Sequence, residues 1–219
     1  VHFEHLFPAR ESSGYFSFFS YMRKYPSLFF MGTFLYSGVY IHNFVYWAGS
    51  DRRVVADAYY NNPVFDIPVF YAYLSVVPTL VTFVVTVETN FFEKLRLYYR
   101  NVLDGGTYLD VQRAKTNMQQ TLLRQISLVM EIQLLFTVIA IALGMKLLPA
   151  IGFTMAQIDV FILLTLGYFL FIILFVILHI LLYFDDRKGV LLISLLFVAL
   201  NAALTYWTMV SGNDGLGML

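Results

Sequence analysis

The 219 residues of this chain are 59% hydrophobic, 18% aromatic and 13% charged, with zero formal net charge and no cysteine. Average soluble chains carry about 25% charged residues, and a soluble domain of this size could not keep so much apolar surface from water. Balanced charge leaves no basic footprint for nucleic acid, and the lack of thiols excludes disulfides, thiolate nucleophiles and thiolate metal sites.

Residues 1–27 mix aromatic and polar side chains and begin VHFEHLFPAR, unlike a cleavable signal peptide. They read as a cytoplasmic approach segment whose helix ends near Tyr25-Pro26. Apolar stretches follow at 28–48, 65–87, 127–148, 158–184 and 190–210. Each is long enough to cross a bilayer, because about 20 residues at ~1.5 Å rise cover ~30 Å of hydrocarbon. The first ends in Tyr46-Trp47-Ala48-Gly49, an aromatic belt suited to the membrane–water interface. Residues 50–62 are expected to form an outer loop or short interfacial helix, closed by the breaker Asn61-Asn62-Pro63.

The second stretch is predicted to continue as helix to Leu103, interrupted only by Pro78, which removes an N–H, frees the Leu74 carbonyl and implies a kink. Beyond Glu88 the apolar positions Phe91, Leu95, Tyr98 and Val102 recur at helical spacing among charged residues. Asp104-Gly105-Gly106 ends that helix, and Thr107 with Asp110 resembles a capping box. A second amphipathic helix carries Val111, Ala114, Met118 and Leu122. Residues 88–124 therefore read as a cytoplasmic helical hairpin that lies on the membrane lipid or docks partner helices. Pro149 closes the third stretch, Thr154 with Gln157 opens the fourth, and Asp185-Asp186-Arg187-Lys188-Gly189 forms a tight turn before the fifth. The fifth ends in Tyr206-Trp207 at the outer interface.

Threading the stretches alternately places Arg10, Arg23, Lys24, Lys94, Arg96, Arg100, Arg113, Lys115, Arg124, Arg187 and Lys188 on one side. Only Arg52, Arg53 and Lys146 fall on the other. Eleven against three sets the orientation by the positive-inside rule, with the chain starting inside and ending outside. The expected fold is an all-α, polytopic transmembrane helix bundle of five spans with an amphipathic hairpin. The initial Val and the odd number of spans make a piece of a longer protein the expectation.

The chain has no phosphate-binding glycine loop, no H-E-x-x-H pair and no G-x-S-x-G elbow, so no catalytic residue and no cofactor is expected. His2, His5, His42 and His179 are scattered, and no metal site is expected of them. Polar groups at membrane depth carry more weight, since ionised side chains there cost several kcal/mol (about 3 on insertion scales). Asp66 and Asp159 begin the second and fourth spans, where capping the helix N-terminus competes with a role in transport. Glu88 and Glu131 lie near inner ends, with Arg124 on the same face as Glu131; an ion pair and a pathway role both stay open. Asn201 sits mid-span and suits a bond between helices, and His42 lies deep in the first span.

Tyr36, Tyr40, Asn43 and Trp47 follow helical spacing, so one stripe of the first span presents hydroxyls, an amide and an indole. Aromatic planes against the CH faces of sugar rings, with polar tips at the ring edges, suit a saccharide path. Ordinary helix packing with interfacial anchoring would produce the same stripe.

The segments YSGVYIHNFVYWAG (36–49), VVADAYYNNPVFDIPVFYAYLSVVPTLVTFVVTVETNFFEKLRLYYRNV (54–102), LLRQISLVMEIQLLFTVI (122–139) and LYFDDRKG (182–189) resemble PelG-type exopolysaccharide exporters of the MATE-like polysaccharide flippase superfamily. The resemblance extends from Tyr36 past Asn201. It implies a middle-to-C-terminal part of a longer transporter in the bacterial inner membrane. It also implies export of a Pel-like polymer of N-acetylgalactosamine and galactosamine for the biofilm matrix. Implied partners are a cytosolic glycosyltransferase and other membrane proteins of the export complex, one of them sensing cyclic-di-GMP. Two other readings compete: a membrane scaffold that docks the glycosyltransferase through the hairpin, and a membrane enzyme on lipid-linked sugar, which the lack of a clustered acidic motif disfavours.

Overall fold

A computed structural model describes residues 18–49, 52–55 and 57–211, apart from the side chains of Phe18 and Glu88. Helix α1, Phe18–Lys24, stops at Tyr25, whose backbone leaves the helical region just before Pro26 opens α2, Pro26–Ala48. Proline is well suited to that first position because its missing N–H would have no helical partner there.

The segment after α2 is a correction to the sequence reading, which expected a loop or a short interfacial helix. It folds as an antiparallel hairpin, β1 (Arg53–Val55) against β2 (Tyr59–Asn61), with Val54 opposite Tyr60. The β-branched pair Val54-Val55 and the aromatic pair Tyr59-Tyr60 favour strand on either side of the turn. Asp57 sits there at φ 54°, a left-handed conformation that Asp tolerates better than most residues. The Arg52 guanidinium lies over the Tyr60 ring, 4.7 Å from its centroid.

The second span is also less regular than the expected kinked helix. It comprises α3 (Pro63–Leu74), a break at Ser75-Val76, α4 (Val77–Phe83), a π-helical segment (Val84–Phe91) and α5 (Phe92–Leu103). At the break the Ser75 and Val76 N–H groups bond to the Ala72 and Tyr73 carbonyls, three residues back, and the Ser75 hydroxyl donates to Ala72 O at 2.7 Å. Pro78 in the next turn cannot donate, so the break falls where the ladder is already short of a bond. In the π segment the hydroxyls of Thr86 and Thr89 donate to the carbonyls of Thr82 and Val85. Such side-chain competition for helical carbonyls bends and loosens a helix.

Gly105, at φ 77°, turns the chain into α6, Tyr108–Leu147, whose start is the expected Thr107–Asp110 capping box. This single 40-residue helix, about 60 Å long, is both the second arm of the hairpin and the third span. A short 3-10 turn, Pro149–Ile151, leads to α7, Met155–Tyr183, capped by Thr154 and Gln157. Asp186 accepts from Gly189 N at 3.0 Å to open α8, Arg187–Val210.

Helices or helical runs at Pro26–Ala48, Pro63–Leu103, Tyr108–Leu147, Met155–Tyr183 and Arg187–Val210 are long and apolar enough to cross a membrane. They pack as the alternation requires. At the basic end the Tyr25 ring meets both Lys24 (5.2 Å) and Arg187 (4.8 Å). At the opposite end Gln157 Nε2 donates to Pro63 O at 2.9 Å, joining the starts of α7 and α3. Lipid is as apolar as leucine, so close packing and interhelical hydrogen bonds must hold such a bundle together. Gly38 of α2 lies against the Phe197 ring of α8, and Asn201 Nδ2 donates to Gly38 O at 2.9 Å. Gly144 of α6 receives the Phe161 ring of α7 in the same manner.

In the hairpin, Phe91, Leu95, Ala114 and Met118 are buried. The apolar stripes of its two arms therefore face one another and are not free for a partner. Exposed apolar side chains collect near its tip instead, at Val102, Leu103, Tyr108 and Leu109.

Candidate functional site

Four phenols stand at mid-membrane depth. Tyr36 and Tyr40 project from α2, Tyr73 from the last turn of α3 and Tyr168 from the middle of α7. At ~1.5 Å per residue, Tyr36 and Tyr73 each lie about 15 Å from the start of their helices and Tyr168 about 20 Å. The Tyr73 and Tyr168 rings pack edge to face at 5.5 Å. Tyr36 and Tyr40 stand in the neighbourhood of Tyr73, and Tyr40 also near Tyr168. Tyr36 and Tyr40 are 66% and 45% exposed, so a polar aromatic face is open at a depth where lipid would offer it no hydrogen bond. The Ser75-Val76 break begins two residues beyond Tyr73. Irregular backbone at this depth is tolerated where it is covered by protein or lines a cavity.

The outer half of the predicted stripe belongs to a different structure. Asp66 accepts from Trp47 Nε1 at 2.9 and 3.1 Å, from Asn43 Nδ2 at 3.2 Å and from the Asn62 backbone N–H at 2.8 Å. The last bond satisfies the N–H of Asn62, the residue just before α3, from within its first turn. The others pin the end of α2 to the start of α3, so Asn43 and Trp47 stand beside the carboxylate while Tyr36 and Tyr40 stand near Tyr73. No Lys or Arg pairs with Asp66 among the described residues.

Between α2, α7 and α8 lies a cavity of about 290 Å³, largely apolar, with His42, Tyr168 and Asn201 supplying its polar groups beside Phe171 and Phe197. His42 is 4% exposed, its ring edge-on to Phe65 at 5.3 Å, and its Nε2 has no protein partner. The buried Tyr168 hydroxyl is likewise unpartnered. Asn201 is satisfied, bonding to Gly38 O and accepting from Thr205 Oγ1 at 3.2 Å, in keeping with a role between helices.

The remaining sequence candidates do not converge on this site. Glu131 and Arg124 are both exposed on α6 and form no ion pair with each other. Glu88 falls in the π segment, but its side chain is outside the described residues, as are His2 and His5. Asp159 is exposed one turn into α7, where Thr154 and Gln157 already make the cap. Among the described residues no three His, Asp or Glu side chains gather as metal ligands. Sequence reasoning missed Tyr73, Tyr168 and the buried pair Gln133–Thr137, joined at 3.1 Å. A hydroxyl or amide inside the most apolar stretches was the available signal for each.

Compared with known protein families, the chain matches over residues 1–218 the family described as "PelG: Putative exopolysaccharide Exporter (EPS-E)". No curated protein and no solved structure matches it.

Proposed function

We propose that this chain, which belongs to the PelG family of exopolysaccharide exporters, forms part of the route by which a Pel-like polymer of N-acetylgalactosamine and galactosamine crosses the bacterial inner membrane for the biofilm matrix. The observation that carries the reading is the packed pair Tyr73–Tyr168 at mid-membrane depth, with the exposed phenols of Tyr36 and Tyr40 on α2 nearby. A sugar ring has apolar CH faces and hydroxyl edges, and phenols answer both. A pathway needs contacts that are many and weak, so that each unit can leave as readily as it enters. Phenols exposed on α2 fit that requirement better than a closed pocket does. Asp66, at the outer end and without a basic partner, would attract the ammonium groups of galactosamine units as they emerge.

The charge distribution supports an orientation with Tyr25, Arg187 and the hairpin in the cytoplasm. There the hairpin would face a glycosyltransferase and the other membrane proteins of the complex. A scaffold role is a second reading. It is favoured by the exposed apolar tip at Val102, Leu103, Tyr108 and Leu109, which the described residues leave uncovered.

The test of the transport reading is polymer secretion by the whole exporter carrying Tyr40→Leu and Tyr73→Leu. Leu keeps helix propensity and much of the volume. Secretion should fall severalfold at unchanged membrane abundance, while Phe30→Leu with Phe34→Leu, aromatics of α2 outside the cluster, should leave it unchanged. Equal secretion by the two variants would refute a role for the phenols.

A further inference from the structure

At the base of the hairpin, where α5 and α6 converge on the membrane, lies a groove of about 450 Å³ lined by Lys94, Leu97, Asn117, Gln120, Thr121 and Arg124. Its chemistry differs from that of the phenol cluster. Two cations face three neutral hydrogen-bonding side chains, and no carboxylate lines it. Glu93 approaches Lys94 at 3.5 Å, but its side chain is 75% exposed and such a pair between neighbours is weak. Arg124 forms no ion pair among the described residues.

Depth decides what such a groove would hold. The apolar stretch of α6 begins at residue 127, within one turn of Arg124, so the guanidinium sits at the boundary of the span. Leu128, four residues on from Arg124 and therefore on the same face one turn deeper, is 38% exposed. A ligand seated here therefore meets donors and positive charge on one side and uncovered apolar surface on the other. Basic pockets between helices at a membrane surface suit phosphate head groups, and a guanidinium binds phosphate oxygens with two parallel donors. A soluble phosphate would leave the apolar half unused.

We propose that this groove is a binding site for an anionic phospholipid, its phosphate between Lys94 and Arg124 and its acyl chains descending along Leu128. The inference requires only that the bundle sits in a membrane and stands apart from the polymer reading. An ordered lipid there would fix the hairpin relative to the bilayer, since the groove joins its two arms.

Native mass spectrometry of the full chain in detergent, titrated with phosphatidylglycerol or phosphatidylcholine, tests it. Phosphatidylglycerol should bind in preference. Lys94→Gln with Arg124→Gln should weaken that binding about thirtyfold, since each basic residue at a membrane surface contributes about 1 kcal/mol. Arg113→Gln with Lys115→Gln removes the same charge about 15 Å nearer the hairpin tip, beyond the ~8 Å screening length, and should change binding less than twofold. Lys94→Arg with Arg124→Lys keeps the charge and should retain most of it, which separates loss of the site from loss of the fold. Equal weakening by the two Gln pairs, or displacement of the lipid by glycerol phosphate at matched concentration, would overturn the assignment.

Discussion

Asp66 ties the end of α2 to the start of α3. Its carboxylate takes the indole N–H of Trp47, the Asn43 amide and the Asn62 backbone N–H, so removing it strands three donors in a half-buried place. Asp66→Ala should cost about 3 kcal/mol of stability, the range for losing charged hydrogen bonds. Asp66→Asn, which keeps one acceptor oxygen, should cost less than half of that. Unfolding in mixed micelles measures both, and equal losses would mean that the negative charge and not the acceptors holds the node. Gly38 makes a different demand. A Cβ there would stand 2.5 Å from the Phe197 ring, so Gly38→Ala should destabilise by about 1–3 kcal/mol through overpacking. Adding Phe197→Leu should restore most of the loss in the same measurement. At the hairpin, hydrogen bonds from the Thr107 hydroxyl and N–H hold the Asp110 carboxyl below its ordinary range. A depressed carboxyl stabilises the folded form above its unfolded value and loses that contribution as the pH falls through the folded one. The start of α6 should therefore stay protected from hydrogen exchange at neutral pH and fray only in acid below the ordinary carboxylate range.

The long elements were legible because their signals were redundant. Length, hydropathy, caps at Thr107 and Thr154 and glycine at Gly105 all agreed on α6 and α7, and these are the most regular parts of the fold. What escaped notice depended on competition or on partners. The β-hairpin at 53–61 has strands of three residues, too short for alternation to stand out beside a membrane helix. The π segment arises where threonine hydroxyls compete for carbonyls, and its apolar spacing passes for α-helix. Half of the candidate site was visible because Tyr36 and Tyr40 share one helix. Tyr73 and Tyr168 lie on two others and come near them only through the packing of the helices. The hairpin stripes were found correctly by period, but period does not say what a stripe faces; here each arm covers the other. Two double variants separate these roles. Leu95→Glu with Met118→Glu buries charge between the arms and should unfold the hairpin, seen as lost exchange protection. Leu103→Glu with Leu109→Glu lies on exposed positions and should leave protection intact while reducing capture of the glycosyltransferase. Unchanged capture by the second pair would end the scaffold reading.

For the molecule as a whole, the orientation follows from eleven basic residues on one side and three on the other. The cysteine-free sequence allows a direct check with single cysteines and an impermeant thiol reagent on cells lacking an outer-membrane barrier. Position 52 should label and position 115 should not; the reverse pattern would invert the assignment. Within that frame, sugar is proposed to pass the phenols of α2, α3 and α7. A photo-crosslinking residue placed at position 40 or 73 of the whole exporter, illuminated while the synthase is making polymer, tests it most directly. Crosslinked protein should react with a lectin for N-acetylgalactosamine at both positions, and should not at position 135, an exposed site on α6 away from the cluster. Carbohydrate captured equally at position 135, or at none of the three while polymer is being exported, would contradict the claim.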